Sequence, residues 1–122
     1  MLKRGILMNK AEGKLLVLWT NADKDTAIQM VFMYTKNAKI KPWWEEVTLL
    51  IWGAPTRLVA EDEEIQAHIR ELQQAGVRTI ACKKCAENIG VVDALEAQNI
   101  EVFYTGVFLT DWLKSDKALL TV

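Results

Sequence analysis

The sequence has little of what several common classes of protein require. Its 122 residues include only two cysteines and two prolines, which excludes a disulfide framework and proline-rich low-complexity segments. The net charge is −1, and the absence of a long basic tract argues against direct binding of nucleic acid. No segment approaches the roughly 20 consecutive apolar residues of a membrane span. We therefore expect a cytoplasmic protein that binds neither nucleic acid directly nor a membrane.

What the chain does have is the composition of one globular domain. Hydrophobic residues make up 51% of it and charged residues 25%, a balance typical of folded domains. The first apolar run begins close to Lys14. We therefore predict that residues 1–13 form a flexible N-terminal extension and that residues 14–122 form a single domain.

Short apolar runs alternate with helical segments along the chain. The predicted strands are Leu15–Trp19, Val47–Trp52, Val77–Cys82, Ile100–Tyr104 and Ala118–Val122. Helices are predicted over 24–38, from Glu61 to a stop at Gly76, over 84–89, over 91–98 and over 107–114. Continuous apolar strands that alternate with helices favour a parallel sheet covered on both faces. The predicted fold class is a three-layer α/β/α domain with a mostly parallel five-stranded sheet.

The two cysteines lie three residues apart in Cys82-Lys83-Lys84-Cys85, directly after the third predicted strand. Ligands and chemistry gather at the carboxyl-terminal edge of such sheets. A thiol there faces the start of a helix, where unpaired N–H groups favour negative charge and so favour a reactive thiolate. Cys82 is therefore the candidate nucleophile, and Cys85 is a second thiol that could resolve its products. Lys83 and Lys84 are expected to add supporting positive charge.

Two further residues are expected at the same edge, in the loops that follow the first and second strands. Asn21 lies in the first loop, and Arg57 lies in the second. Arg57 could bind an anionic ligand, although an ordinary surface arginine is an equally good interpretation.

The motif and its surroundings resemble the DsrE/DsrF-like family of small α/β sulfur-relay proteins. Many members have Cys-x-x-Cys after the third strand, followed by a glycine and an aliphatic residue, as in Gly90-Val91 here. The resemblance extends over about Lys14–Val122. It departs from the family in the first loop, where many members have Gly-Pro and this chain has Thr20–Asp23.

The resemblance implies a sulfur carrier that accepts sulfane sulfur as a persulfide on Cys82 and relays it to a partner thiol. The implied partners are sulfur-donor and sulfur-acceptor proteins, and the implied assembly is a homo-oligomer, a trimer or a hexamer. No cofactor and no metal are expected. Two alternatives stay open: a thiol–disulfide oxidoreductase that uses Cys82 and Cys85, and an oligomeric module that binds a small anion. Two thiols alone supply only half of a tetrahedral zinc site.

The first predicted helix is more apolar than one sheet face requires. Its apolar residues, Ile28, Phe32 and Met33 among them, surround most of the helix. A helix that covers a sheet needs only one apolar stripe. We therefore predict that the segment Thr26–Ala38 lies in a subunit interface, with Trp43-Trp44 as a second candidate surface.

Overall fold

The computed structural model of the chain describes residues 13–122. The predicted N-terminal extension lies outside the described residues except for Gly13. The strands are β1 (Lys14–Trp19), β2 (Glu46–Ile51), β3 (Arg78–Cys82), β4 (Glu101–Phe103) and β5 (Ala118–Thr121). The helices are α1 (Lys24–Thr26, a π-helical stretch Ala27–Phe32, and Met33–Ile40), α2 (Pro55–Glu61), α3 (Glu63–Gln74), α4 (Lys83–Asn88), α5 (Val92–Glu96) and α6 (Gly106–Leu113).

All five strands form one parallel sheet in the order β4-β3-β2-β1-β5. The register pairs Leu16 of β1 with Thr48 of β2 on one side and with Leu119 of β5 on the other. The predicted three-layer α/β/α fold is therefore confirmed, with every strand parallel. Each predicted strand is present, and its ends lie within one residue of the predicted ones.

The two faces of the sheet are covered unequally. Strands β1 to β4 follow one another outward in a single direction, so right-handed crossovers place helices α1 to α5 on the same face. The chain then returns across the sheet to β5, and α6 lies on the opposite face. There the buried side chains of Leu16, Leu50 and Ile80 pack with Trp112 of α6. The larger core lies on the first face, where it includes Trp19 and Phe32.

The segment after β2 is helical sooner than the sequence suggested. Arg57 was expected in a loop after the second strand, but α2 begins at Pro55 and includes Arg57. Gly53 has a φ of +83°, which allows the sharp turn after the strand. Proline is well suited to the first helical turn, since an N–H there has no intrahelical partner. Because α2 lies between β2 and α3, it covers part of the carboxyl-terminal edge of the sheet.

The acidic run after α2 has the expected role at a helix start. The carboxylate of Asp62 accepts a hydrogen bond from the Ile65 N–H at 3.0 Å and caps α3. Glu63 and Glu64 occupy the first turn, where the helix dipole favours negative charge. The helix that was predicted from Glu61 therefore begins at Glu63.

The apolar surplus of α1 is largely explained by its π-helical stretch, Ala27–Phe32. In a π-helical stretch residues five apart lie on one face, because its hydrogen bonds join residues i and i+5, and Ala27 and Phe32, which are five apart, are both buried. Phe32 is buried, with its ring 5.1 Å from that of Trp19 and stacked 5.3 Å from that of His68. The prediction that Phe32 faces another subunit was therefore wrong, although Met33 is 52% exposed.

Within residues 13–122, no helix has both the length and the apolar character needed to cross a membrane.

Candidate thiol site

Cys82 joins the third strand to the helix that follows it. It is the last residue of β3 and the N-cap of α4, with an extended backbone (φ −67°, ψ 116°). Its Sγ accepts a hydrogen bond from the Cys85 N–H at 3.4 Å, as an oxygen does in an ordinary N-cap. The side chain is only 5% exposed. The fold thus holds Cys82 at the carboxyl-terminal edge of the sheet, with its sulfur pointing at a backbone donor.

Cys85 lies one helical turn later and shares a hydrogen bond with Cys82. Both cysteines are free thiols, and the thiol of Cys85 donates to Cys82 Sγ across 2.9 Å. Burial raises the pKa of the Cys85 thiol, and the hydrogen bond to Cys82 raises it further, whereas the Gly53 N–H lowers it. Cys85 is therefore kept as a neutral donor, and both of its donors, N–H and S–H, point at the sulfur of Cys82.

A shallow cleft of about 310 Å³ opens beside Cys85. It is lined by Gly53, Ala54, Arg57, Cys85, Asn88 and Ile89. Cys82 is not among these residues, so Cys85 is the thiol that meets the cleft. A molecule that reaches Cys82 from this side must pass the Cys85 side chain.

Of the two lysines between the cysteines, Lys83 contacts an aromatic ring, and the supporting role of both lysines stays a prediction. The ammonium group of Lys83 lies 5.3 Å from the centre of the Tyr104 ring. The hydroxyl of Tyr104 in turn donates to a carboxylate oxygen of Glu87 at 2.9 Å. Lys84 is exposed. Lys83 is therefore engaged with an aromatic ring on the neighbouring chain segment.

The other two predicted residues have separate positions. The side-chain oxygen of Asn21 accepts from the Asp23 N–H at 2.8 Å, and Asp23 caps α1 through the Thr26 N–H at 2.9 Å. Asn21 therefore shapes the start of α1. Arg57, by contrast, is brought to the same cleft as Cys85. Its described ion pair is with Glu61, at 3.6 Å on the exposed surface.

Four cleft residues were missed in the sequence: Gly53, Ala54, Asn88 and Ile89. Asn88 and Ile89 follow Cys85 by three and four residues, the spacing that places side chains on one helical face. That spacing could have identified them. The role of Gly53 depends on a backbone N–H beside the Cys85 sulfur, for which the residue type offers no signal.

The same edge also contains buried polar atoms without a hydrogen-bond partner within residues 13–122. These atoms are Trp19 Nε1 at the end of β1, Thr56 Oγ1 in the first turn of α2 and Thr105 Oγ1 just before α6. Such groups are uncommon in folded proteins, because each one costs stability. Among the described residues, no group of three or more His, Cys, Asp or Glu side chains is arranged to hold a metal ion. The chemistry that this edge offers is therefore that of two thiols in contact.

Comparison with known proteins identifies relatives of the whole fold. A conserved protein of unknown function from Bacteroides thetaiotaomicron, BT1422, is 39% identical and superposes with a TM-score of 0.88, over 90% of this chain and 95% of that one. The ychN protein from E. coli is 17% identical with a TM-score of 0.69, and MTH1491 from Methanobacterium thermoautotrophicum, of unknown function, is 16% identical with a TM-score of 0.75. Each of these two matches covers 89% of this chain and 98% of the other.

At identities of 17% and 16%, the likeness to the ychN protein and MTH1491 shows the fold alone. No protein-family model matches the sequence, and no curated protein matches it either.

Proposed function

The chain belongs to the same protein family as BT1422, a protein of unknown function, and we propose that it is a sulfur carrier that accepts sulfane sulfur on Cys82. The observation that carries the proposal is the convergence of two donors, the N–H and the S–H of Cys85, on Cys82 Sγ. A thiolate or a persulfide anion at that position is stabilised by both. The resemblance of the sequence to the DsrE/DsrF-like family supports the same function.

The proposed transfer needs no outside oxidant or reductant. The Cys82 thiolate attacks the outer sulfur of a donor persulfide, R–S–SH. A new sulfur–sulfur bond forms on Cys82, the bond within the donor breaks, and the donor leaves as a thiolate with the electron pair. An acceptor thiolate then attacks the outer sulfur of the Cys82 persulfide and returns Cys82 to a thiolate.

Cys85 has two roles in this proposal. As a neutral thiol it donates to the sulfur of Cys82, and because it lines the cleft it is the residue that an approaching donor meets first. Its second role is to resolve a Cys82 persulfide that has not been passed to an acceptor. A Cys85 thiolate that attacks the inner sulfur of the Cys82 persulfide releases hydrosulfide and leaves a Cys82–Cys85 disulfide.

A thiol–disulfide oxidoreductase is the second candidate, and the distance of 2.9 Å between the two sulfurs favours it. Such an enzyme cycles between a dithiol and a disulfide. The raised pKa of Cys85 makes it the weaker attacking group of the pair at neutral pH. We therefore give the carrier function precedence.

Intact-protein mass spectrometry separates the two functions. The reduced chain is incubated with a small persulfide donor, and the excess donor is removed by desalting. A carrier gains about 32 Da, the mass of one sulfur atom, and loses that gain on treatment with a thiol. An oxidoreductase instead loses about 2 Da as its two thiols form a disulfide. Because resolution of the carrier persulfide by Cys85 gives the same loss, the assay is repeated on Cys85→Ser, in which that disulfide cannot form and a carrier keeps its gain of about 32 Da. A chain unchanged in mass would contradict both functions.

We also propose that the carrier works in the cytoplasm as a homo-oligomer, a trimer or a hexamer, with donor and acceptor proteins as its partners. Met33 on α1 is 52% exposed and Trp43 is 50% exposed, and the Tyr34 ring lies 5.9 Å from that of Trp43. These side chains form an apolar surface that association would cover.

Sedimentation of Met33→Glu tests this surface, because a charge there opposes burial at a contact. Val107→Glu, at an exposed position on the opposite layer, is the matched control. The proposal predicts dissociation by Met33→Glu alone. A wild-type chain that sediments as a monomer at micromolar concentration would contradict it.

A further inference from the structure

The cleft beside Cys85 differs from an ordinary surface depression in its charge. Of the described residues that line it, Arg57 is the charged one and none is acidic. The remaining lining consists of the Cys85 thiol, the Asn88 amide, the Gly53 backbone and the apolar side chains of Ala54 and Ile89. A positive group therefore lies opposite a thiol, without a carboxylate in the same cleft to compete for it.

The guanidinium of Arg57 is available to a ligand. Its contact with Glu61 is long, at 3.6 Å, and the two side chains are 59% and 63% exposed. Ion pairs this exposed contribute little, so a ligand can displace them readily. Glu61 itself borders a neighbouring depression that includes Ala22 and Asp62. Arg57 lies between the two depressions and can turn into the one that contains Cys85.

The size of the cleft limits what it accepts. A volume of about 310 Å³ lies at the lower end of small-molecule sites, which span roughly 300–1,000 Å³. A planar guanidinium binds carboxylates and other oxyanions through two parallel hydrogen bonds. The ligand that fits is a small molecule with an anionic group at one end and a reactive sulfur at the other.

We propose that, besides donor proteins, the carrier accepts a small-molecule sulfur donor that Arg57 selects: a low-molecular-weight persulfide whose organic part carries a carboxylate or a similar oxyanion. This inference rests on the proposed carrier function and names the class of its substrate. Arg57 holds the anionic end of the donor, and the apolar wall of Ala54 and Ile89 contacts its carbon chain. The outer sulfur is thereby directed to the thiol pair, and the donor leaves as a thiolate that keeps its anionic group on Arg57.

Two matched donors test the proposal, the persulfides of 3-mercaptopropionate and of 3-mercaptopropionamide. They differ only in whether the far end is a carboxylate or a neutral amide. The rate at which the chain gains one sulfur is measured by mass spectrometry for each. We expect the wild-type chain to take sulfur from the carboxylate donor about tenfold faster, since that donor alone forms a charge-assisted bond to Arg57. The preference should shrink at high salt.

Arg57→Gln should remove the preference by slowing the carboxylate donor while leaving the amide donor unchanged. Two controls retain the guanidinium of Arg57: Arg70→Gln, at an exposed position on α3, and Glu61→Gln, which removes the ion partner of Arg57. Both should keep the preference. If the wild-type chain takes sulfur from both donors at equal rates, the inference is wrong while the carrier function stands. If it takes sulfur from neither, the carrier function itself fails and the inference falls with it.

Discussion

At the amino-terminal edge of the sheet, charged side chains form ion pairs across neighbouring strands. At the carboxyl-terminal edge, by contrast, the two thiols share a hydrogen bond, and some buried polar atoms have no hydrogen-bond partner within residues 13–122. Lys14 of β1 lies 3.7 Å from Glu46, its register partner on β2. The guanidinium of Arg78 on β3 donates two hydrogen bonds, each of 2.8 Å, to the carboxylate of Glu101 on β4. This pairing raises the pKa of Arg78 and lowers that of Glu101. These ion pairs join neighbouring strands and so contribute to the stability of the sheet.

The carboxyl-terminal edge uses its polar groups differently. There Cys82 and Cys85 share a hydrogen bond, and Arg57 has a single long ion pair. Buried polar atoms of Thr56 and Thr105 have no partner within residues 13–122. Evolution tolerates such unpaired groups most readily at functional sites. The charged residues of the amino-terminal edge are thus paired with one another, whereas the two thiols and Arg57 at the carboxyl-terminal edge keep bonding capacity. Buried polar atoms without a partner within residues 13–122 also occur on Thr35 and Gln98, away from the thiols, so such atoms do not mark the site by themselves.

The largest effect should come from removing the thiol donor to Cys82. Cys85→Ala deletes the S–H that donates to Cys82 Sγ, whereas Cys85→Ser keeps a hydroxyl donor in its place. We expect sulfur acceptance on Cys82 to slow about tenfold in Cys85→Ala and much less in Cys85→Ser, since hydrogen bonds to charged groups are among the stronger ones. Rates of persulfide formation measured at pH 7 test this. Equal rates in the two variants would mean that the hydrogen bond is incidental.

The sequence predicts those features of the two sheet edges that depend on local patterns, and it does not predict those that depend on tertiary packing. The position of Cys82 could be predicted, because a strand of apolar residues ends there and parallel strands share one functional edge. The exposure of the two thiols could not be predicted from the sequence. It depends on α2, and the start of that helix at Pro55 was not predicted. Glycine and proline after a strand are typical of a loop. Here, however, Gly53 turns the chain and Pro55 begins a helix.

The charge of Lys83 illustrates a second limit. Proximity in the sequence placed it beside the thiols, but its side chain extends to the Tyr104 ring on the segment after β4. The direction of a long, flexible side chain is decided by tertiary neighbours that a local motif does not contain. Phe32 shows the same limit on α1, where it lies in the π-helical stretch and is buried in the core.

A smaller effect should appear in the pH dependence of Cys85. Its raised pKa means that the neutral thiol persists above the ordinary cysteine value of about 8.5, so alkylation of Cys85 should accelerate only on the alkaline side of that value. Cys82→Ala removes both contributions of Cys82 to the raised pKa, its hydrogen bond and its charge, and leaves burial in place. The midpoint of the Cys85 alkylation profile should therefore move to lower pH in that variant. Identical profiles would show that Cys82 does not influence Cys85.

The smallest effect should come from the amino-terminal edge. Arg78→Gln should destabilise the fold by about 0.5–1 kcal/mol at pH 7, the range for exposed pairs, and should leave sulfur acceptance unchanged. Because pairing lowers the pKa of Glu101, its contribution is present above the unfolded value of about 4.3 and is lost as pH falls through the folded pKa. Denaturant unfolding at pH 7 and at pH 3 should thus show the difference shrinking in acid. Slower sulfur acceptance in Arg78→Gln would remove the contrast between the two edges.

The proposed carrier function depends most on which thiol accepts the sulfur. Peptide mapping of the two variants Cys82→Ser and Cys85→Ser measures this directly. Each folded variant is treated with the same persulfide donor, its remaining thiols are blocked, and the peptide that contains residues 82–85 is analysed by mass spectrometry. We predict a stable gain of one sulfur, about 32 Da, in Cys85→Ser and none in Cys82→Ser. A gain of one sulfur in Cys82→Ser together with none in Cys85→Ser would contradict the account and identify Cys85 as the sulfur acceptor.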